Sequence, residues 1–254
     1  MMDEFRGRLL ALLWAEQPKL FVHGAGNLCI DTTGLDGVEE AWPLAPGVLR
    51  WIAETLPEGA STLETGCGYS TMAFMICGAH HIAIAPDYQQ HGRIVRWCGE
   101  KGVSCAELQM IDARSQDALP GLTIPSLDLV LIDGCHAFPS PYIDWYYTAE
   151  HVKKDGYAIV DDCHLITGRV LADFLDAEKG RWMRAETFGK TVIFQKTTSG
   201  PVIQGYEWID QPYCAQSVGS ISPVSWSGRI VKALRRLRQK TCSREGADDT
   251  VCDS

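Results

Sequence analysis

A chain of 254 residues, 46% of them hydrophobic, is long enough for one α/β domain with extensions, or at most for two small domains. Its formal net charge of −9 repels phosphates, so nucleic acid is not expected as a partner. No apolar run approaches the roughly 18 residues that a membrane-crossing helix needs, so no transmembrane segment is expected.

Residues 4–16 predict an amphipathic helix with Phe5, Leu9, Leu12 and Leu13 on one stripe; Asp3 and Glu4 stand where a secretory signal would want basic residues. Residues 20–44 carry Gly24, Gly26, Gly34, Gly37 and Pro43 and read as loop, with a short strand near 28–30 and enough glycine to permit a lid. A helix follows over 46–56, with Pro46 suited to its first turn, and Pro57-Glu58-Gly59 ends it.

Strands and helices then alternate. "STLET" (61–65) is a strand, 70–76 a helix, "HHIAIA" (80–85) a strand, and 88–100 a helix. "VSCAELQMI" (103–111) is a strand before a turn-rich loop through Pro120 and Pro125; "LDLVLID" (127–133) is a strongly apolar strand, and 141–152 a helix. "GYAIVDD" (156–162) is a strand, 166–178 a helix, and strands at 182–188 and 191–196 join through Gly189-Lys190. This order predicts an α/β fold: a Rossmann-like doubly wound sheet, mostly parallel, with a C-terminal antiparallel hairpin.

The expected organisation is an N-terminal helix and cap or lid segment over 1–45, a main domain over 46–197, and an irregular tail over 198–254. In the tail, "SGRIVKALRRLRQK" predicts a basic amphipathic helix, suited to a membrane surface, to a partner, or to packing Ile230, Val231, Leu234 and Leu237 on the domain. The final "TCSREGADDTVCDS" has the composition of a disordered end. None of the ten cysteines forms a CxxC pair, so reduced thiols and a cytoplasmic location are expected.

The string "TLETGCGYSTMAF" places a glycine loop between a strand and a helix. Gly66 and Gly68 lack side chains, so a bulky cofactor can lie against the backbone, and Ser70 or Thr71 can cap the helix. Glu64 would repel a pyrophosphate but attract a cationic ligand. The loop lacks the Gly-Lys-Ser/Thr of the phosphate-loop pattern, and Thr71 breaks the full GxGxxG pattern. The arrangement E-x-G-x-G-x-S resembles the glycine loop of class I S-adenosylmethionine-dependent methyltransferases. That resemblance implies Glu64, Gly66, Gly68 and Ser70 near the cofactor's methionyl end. It also implies an acid for the ribose after the second strand, where Ala85 stands and Asp87 follows two residues later. Asp112, after the third strand, either meets the adenine amino group or caps a helix.

Two further strand ends carry acids: Asp133 on one, Asp161 and Asp162 on the next. Adjacent strands bring their ends together, and like charges at that range need a compensating proton or cation. Oxygen ligands alone favour Mg²⁺, and His136 and His164 flank the same edge, where an imidazole can act as a general base. Taken singly, Asp133 suits a turn and Asp162 a helix cap. The strings "IDGCH" and "DDCH" resemble the bacterial metal-dependent O-methyltransferases with IDG-x-H and DD-x-H strings, over residues 60–196. This resemblance implies Asp133, Asp161 and Asp162 as metal ligands, Asp133 also beside the cofactor, and His136 as base.

The resulting expectation is S-adenosylmethionine-dependent O-methylation of a small hydroxylated acceptor with a divalent metal, by a chain that could form homo-oligomers. The alternatives are a metal-free N- or C-methyltransferase and a non-catalytic member of the fold; Ala85 disfavours a nicotinamide-dependent dehydrogenase. Trp145, Tyr146 and Tyr147 either wall the acceptor or pack their helix.

Overall fold

The computed structural model describes residues 4–22, 37–203 and 211–217. The strand expected near 28–30, most of the glycine-rich lid, the basic helix and the chain end lie outside these residues. The chain divides into two compact units, Met1–Gln204 and Gly205–Ser254. In the second, one helix is described, Pro212–Ser217.

The first unit opens with helix α1 (Glu4–Glu16), a short antiparallel pair β1 (Phe21–Val22) and β2 (Glu39–Glu40), and helix α2 (Pro46–Thr55). Next come β3 (Ser61–Thr65), α3 (Tyr69–Ile76), β4 (His80–Ile84), α4 (Tyr88–Glu100), β5 (Leu108–Ile111) and α5 (Ser115–Ala118). It closes with β6 (Leu127–Ile132), α6 (Ser140–Thr148), β7 (Val152–Val160), α7 (Ile166–Ala177), β8 (Trp182–Phe188) and β9 (Thr191–Lys196).

The main sheet has seven strands in the order β5-β4-β3-β6-β7-β9-β8. The first five run parallel; β9 is antiparallel to both β7 and β8, and β8 is the edge. The expected Rossmann-like sheet with a C-terminal hairpin is therefore present. Strand order reverses between β3 and β6, the switch point where open α/β sheets form a crevice at their carboxyl ends.

Alternation in β6 explains the two core layers. Leu129 and Leu131 join a cluster with Leu13 of α1, Ile52 of α2, Phe74 of α3 and Ile94 of α4. Val130 and Ile132 join Trp145 of α6 and Leu171 and Leu175 of α7 on the opposite face. Successive strand side chains point to opposite faces, so a continuous apolar run is what a strand covered on both sides requires. Because Leu9, Leu10 and Leu13 lie in the first layer, α1 shares the core of the main domain.

Three elements differ from expectation. Strand β5 is only Leu108–Ile111, because 103–107 is spent turning out of α4. The loop after β5 contains α5, with Ser115 buried. Strand β7 begins at Val152, where helix was expected, because Val152 pairs with Leu127 of β6.

Candidate active site

The glycine loop owes its shape to a contact with its neighbour. Gly66 has φ +92°, and a Cβ there would stand 2.3 Å from the Asp133 carbonyl oxygen. Gly68 is different: a Cβ on it would meet nothing within 4 Å. Only Gly68 therefore leaves free room beside the loop.

Glu64 points inward. It accepts hydrogen bonds from Ser70 Oγ at 2.5 Å and from Thr71 Oγ1, and His81 Nε2 lies 3.1 Å away. Thr71 Oγ1 also accepts from the Gly68 N–H at 2.9 Å, so Thr71, rather than Ser70, satisfies the helix start. Glu64 and Ser70 thus brace β3 against α3 and β4 from behind the loop that was expected near the cofactor's methionyl end.

A cavity of about 690 Å³ opens over the carboxyl ends of the strands. Every parallel strand contributes: Gly66 to Tyr69 after β3, Ala85 to Asp87 after β4, Arg114 to Gln116 after β5, Asp133 to Ala137 after β6, and Asp161 with Asp162 after β7. Lys190, from the β8–β9 turn, completes the wall. Of the expected cofactor residues, Gly66, Gly68, Asp87 and Asp133 line it; Glu64, Ser70 and Asp112 do not. Asp112 is exposed, and its neighbours Arg114, Ser115 and Gln116 line that end instead.

Asp87 is buried and caps α4, with Oδ1 accepting from the N–H groups of Gln89 and Gln90. Its Oδ2 has no hydrogen-bond partner and only a 3.8 Å approach from Arg93. A buried acceptor left open on a cavity wall is what a bound hydroxyl would satisfy. Cys67 lines the same loop, but burial, with Glu64 and Asp87, pushes its thiol well above the usual range. It therefore remains a neutral wall.

At the opposite end, His136 Nε2 lies 2.8 Å from Asp162 Oδ2, and His164 Nδ1 lies 3.5 Å from Asp162 Oδ1. Lys190 Nζ donates to Asp162 Oδ1 at 2.5 Å and lies 3.1 Å from Asp161 Oδ2, while Thr191 Oγ1 donates to Asp161 Oδ1. The hydrogen bond from His136, reinforced by Lys190, holds the Asp162 carboxyl well below its usual range against burial. Burial, then Asp161 and Asp162, push the Asp133 carboxyl well above it, with Lys190 opposing. Asp162 adopts φ 51°, a left-handed conformation that Asp tolerates better than most residues and that tends to mark functional sites.

Asp133, Asp161 and Asp162 do not present three free oxygens to one point. Among the described residues the group with metal-ligand spacing is Asp133, His136 and Asp162, whose candidate atoms lie within 4.8 Å of one another. An ion there would have to replace the His136–Asp162 hydrogen bond and share Asp162 with the Lys190 ammonium. The arrangement does not fit an oxygen-ligated Mg²⁺, because both acids after β7 already have partners.

The outer wall comes from the 20–44 segment, expected as a loop that permits a lid, although the sequence does not single out Phe21 and Trp42 within it. Phe21 and Trp42 stack with centroids 4.0 Å apart, and with Leu20 and residues 41–44 they line the cavity mouth. Trp145 instead packs on Trp182 and Phe174, and neither Tyr146 nor Tyr147 lines the cavity.

Residues 63–163, less than half of the chain, match the family described as "Methyltransferase domain". No curated relative matches. Among solved structures, the O-methyltransferase TomG from Streptomyces achromogenes, involved in tomaymycin synthesis and bound to S-adenosylmethionine, is 15% identical with a TM-score of 0.52. The match covers 62% of this chain and 83% of that one. Cofactor-bound Rv0187 from MTB is 13% identical with a TM-score of 0.50, over 76% of this chain and 90% of that one. An rRNA methylase from Streptococcus thermophilus reaches only 0.46 at 11% identity, over 60% and 95% of the two chains, too low to bear on the partner. The fold is that of the class I methyltransferases. Among the described residues no helix is long and apolar enough to cross a membrane.

Proposed function

We propose that this chain is an S-adenosylmethionine-dependent methyltransferase that methylates an oxygen of a small hydroxylated molecule. One observation carries the reading: an open glycine loop and a carboxylate-held imidazole share one cavity of about 690 Å³ at the switch point of a methyltransferase fold. The volume suits a cofactor with a small acceptor.

The residues present fit the cofactor. Gly68 leaves room beside the backbone, Asp87 Oδ2 is an open acceptor for ribose hydroxyls, and Arg114 to Gln116 border the adenine end. Glu64 and Ser70 support the loop from behind. When bound, the cofactor would supply a methyl group on a positively charged sulfur, which would be left as a neutral thioether once the methyl is transferred. His136 takes the proton which that oxygen loses, and Asp162 fixes the ring and favours the imidazolium that results. The stacked Phe21 and Trp42 exclude water at the mouth and offer an apolar face to the rest of the acceptor.

Calorimetry with S-adenosylmethionine should show saturable 1:1 binding in the micromolar range, about −8 kcal/mol. No heat up to about a millimolar would end this reading. The second reading is metal-assisted transfer, with a divalent ion held by Asp133, His136 and Asp162, whose convergence favours it. Once an acceptor is known, activity lost in chelator and restored by a divalent ion would select it.

A further inference from the structure

Lys190 is the side chain that reaches both acids after β7, and strand register explains why. Strand β9 runs antiparallel to β7 with Val192 opposite Val160. Continuing outward by one residue on each strand sets Thr191 across from Asp161; by two, Lys190 across from Asp162. The side chains follow that register: Thr191 Oγ1 bonds Asp161 and Lys190 Nζ bonds Asp162. The backbone carries it one step further, with Cys163 N–H donating to the Lys190 carbonyl at 2.8 Å. Gly189, at φ 61°, makes the turn that delivers Lys190 to this position.

We propose that Lys190 is the resident cation of this acidic edge, holding the place that a divalent ion would take. Its ammonium bridges Asp161 Oδ2 and Asp162 Oδ1, at 3.1 and 2.5 Å, and so places a positive charge between two adjacent acids. Asp162 is thereby left with Oδ2 facing His136, so Lys190 acts as a positioning residue for the imidazole. The carboxylates also share the wall with Asp133, and without the ammonium they would form a strongly negative cluster able to bind a metal. The inference rests on the methyltransferase reading only for its consequence, that the site works without added metal.

The test is Mn²⁺ binding to the full chain, followed by electron paramagnetic resonance, since Mn²⁺ accepts mixed oxygen and nitrogen ligands. The wild-type chain should show no Mn²⁺ site tighter than about millimolar. Lys190→Ala and Lys190→Gln should each gain a site at least about tenfold tighter, because a positive charge within about 4 Å of the acids has been removed. Lys190→Arg should stay silent. Tight stoichiometric Mn²⁺ binding by the wild type overturns the proposal, and so does failure of both neutral variants to gain a site. S-adenosylhomocysteine calorimetry on the same samples separates the two readings. A variant that binds the nucleoside normally is folded, so its Mn²⁺ result stands. Loss of nucleoside binding in the wild type itself would strike the proposed function and leave the lysine assignment to the Mn²⁺ measurement.

Discussion

The Asp144 side chain of α6 is fully buried behind the turn at Asp133 and Gly134, with its Oδ2 3.3 Å from where a Gly134 Cβ would stand. Burial pushes its carboxyl up to about 6, while Ser115, Thr65 and His136 pull it down. The folded pKa is raised, so the favourable contribution is present below the unfolded value near 3.8 and is lost as pH rises through about 6. Asp144→Asn should therefore stabilise the chain at pH 7.5, by up to the order of 3 kcal/mol, and leave it little changed at pH 4. Urea melts at the two pH values check this; an equal effect at both would contradict it. Asp162 has the opposite sign, its stabilisation lost as pH falls below the usual carboxylate range, so the comparison of variant with wild type is the informative one. At this scale the sequence located Asp133, Asp162 and His136 at one edge, because strand ends are legible from apolar runs. It did not show which acids were already paired, because pairing depends on a strand far along the chain.

Elements carry the glycine loop. Gly66 and Gly68 look equivalent in the sequence, yet β6 passes close to one and leaves the other open. Gly66→Ala meets both a left-handed φ and the Asp133 carbonyl, so it should destabilise the fold by about 2–3 kcal/mol and abolish cofactor binding. Gly68→Ala has room in the protein and should melt like the wild type, while binding S-adenosylmethionine at least about tenfold more weakly. Denaturant melts together with calorimetry on both variants distinguish the two roles; identical behaviour would refute the distinction. The helices and strands were largely legible, because each has its own period and breakers. The short α5 and the β1–β2 pair were not, since two to four residues carry too little periodicity to read.

Across the whole first unit, the cavity wall is drawn from the loops after five parallel strands, from the β8–β9 turn, and from residues 20–21 and 41–44. A ligand bound there would touch loops from across the unit, so it would bind only the folded chain. S-adenosylhomocysteine at about one hundred times its Kd should add about 2.7 kcal/mol of stability and raise Tm by about 5 °C or more. No shift at saturating ligand would mean that the folded cavity is not the binding site. The sequence by itself determined the sheet, its parallel sense and the edge where the polar residues gather, because burial on both faces of a strand leaves a local apolar signature. Only the tertiary structure decided that Glu64 turns inward, that Phe21 and Trp42 wall the mouth, and that Lys190 sits on the acids. Glu64 meets His81 across 17 positions and Asp162 meets Lys190 across 28, and such pairings are set by strand order and register, which no local pattern encodes.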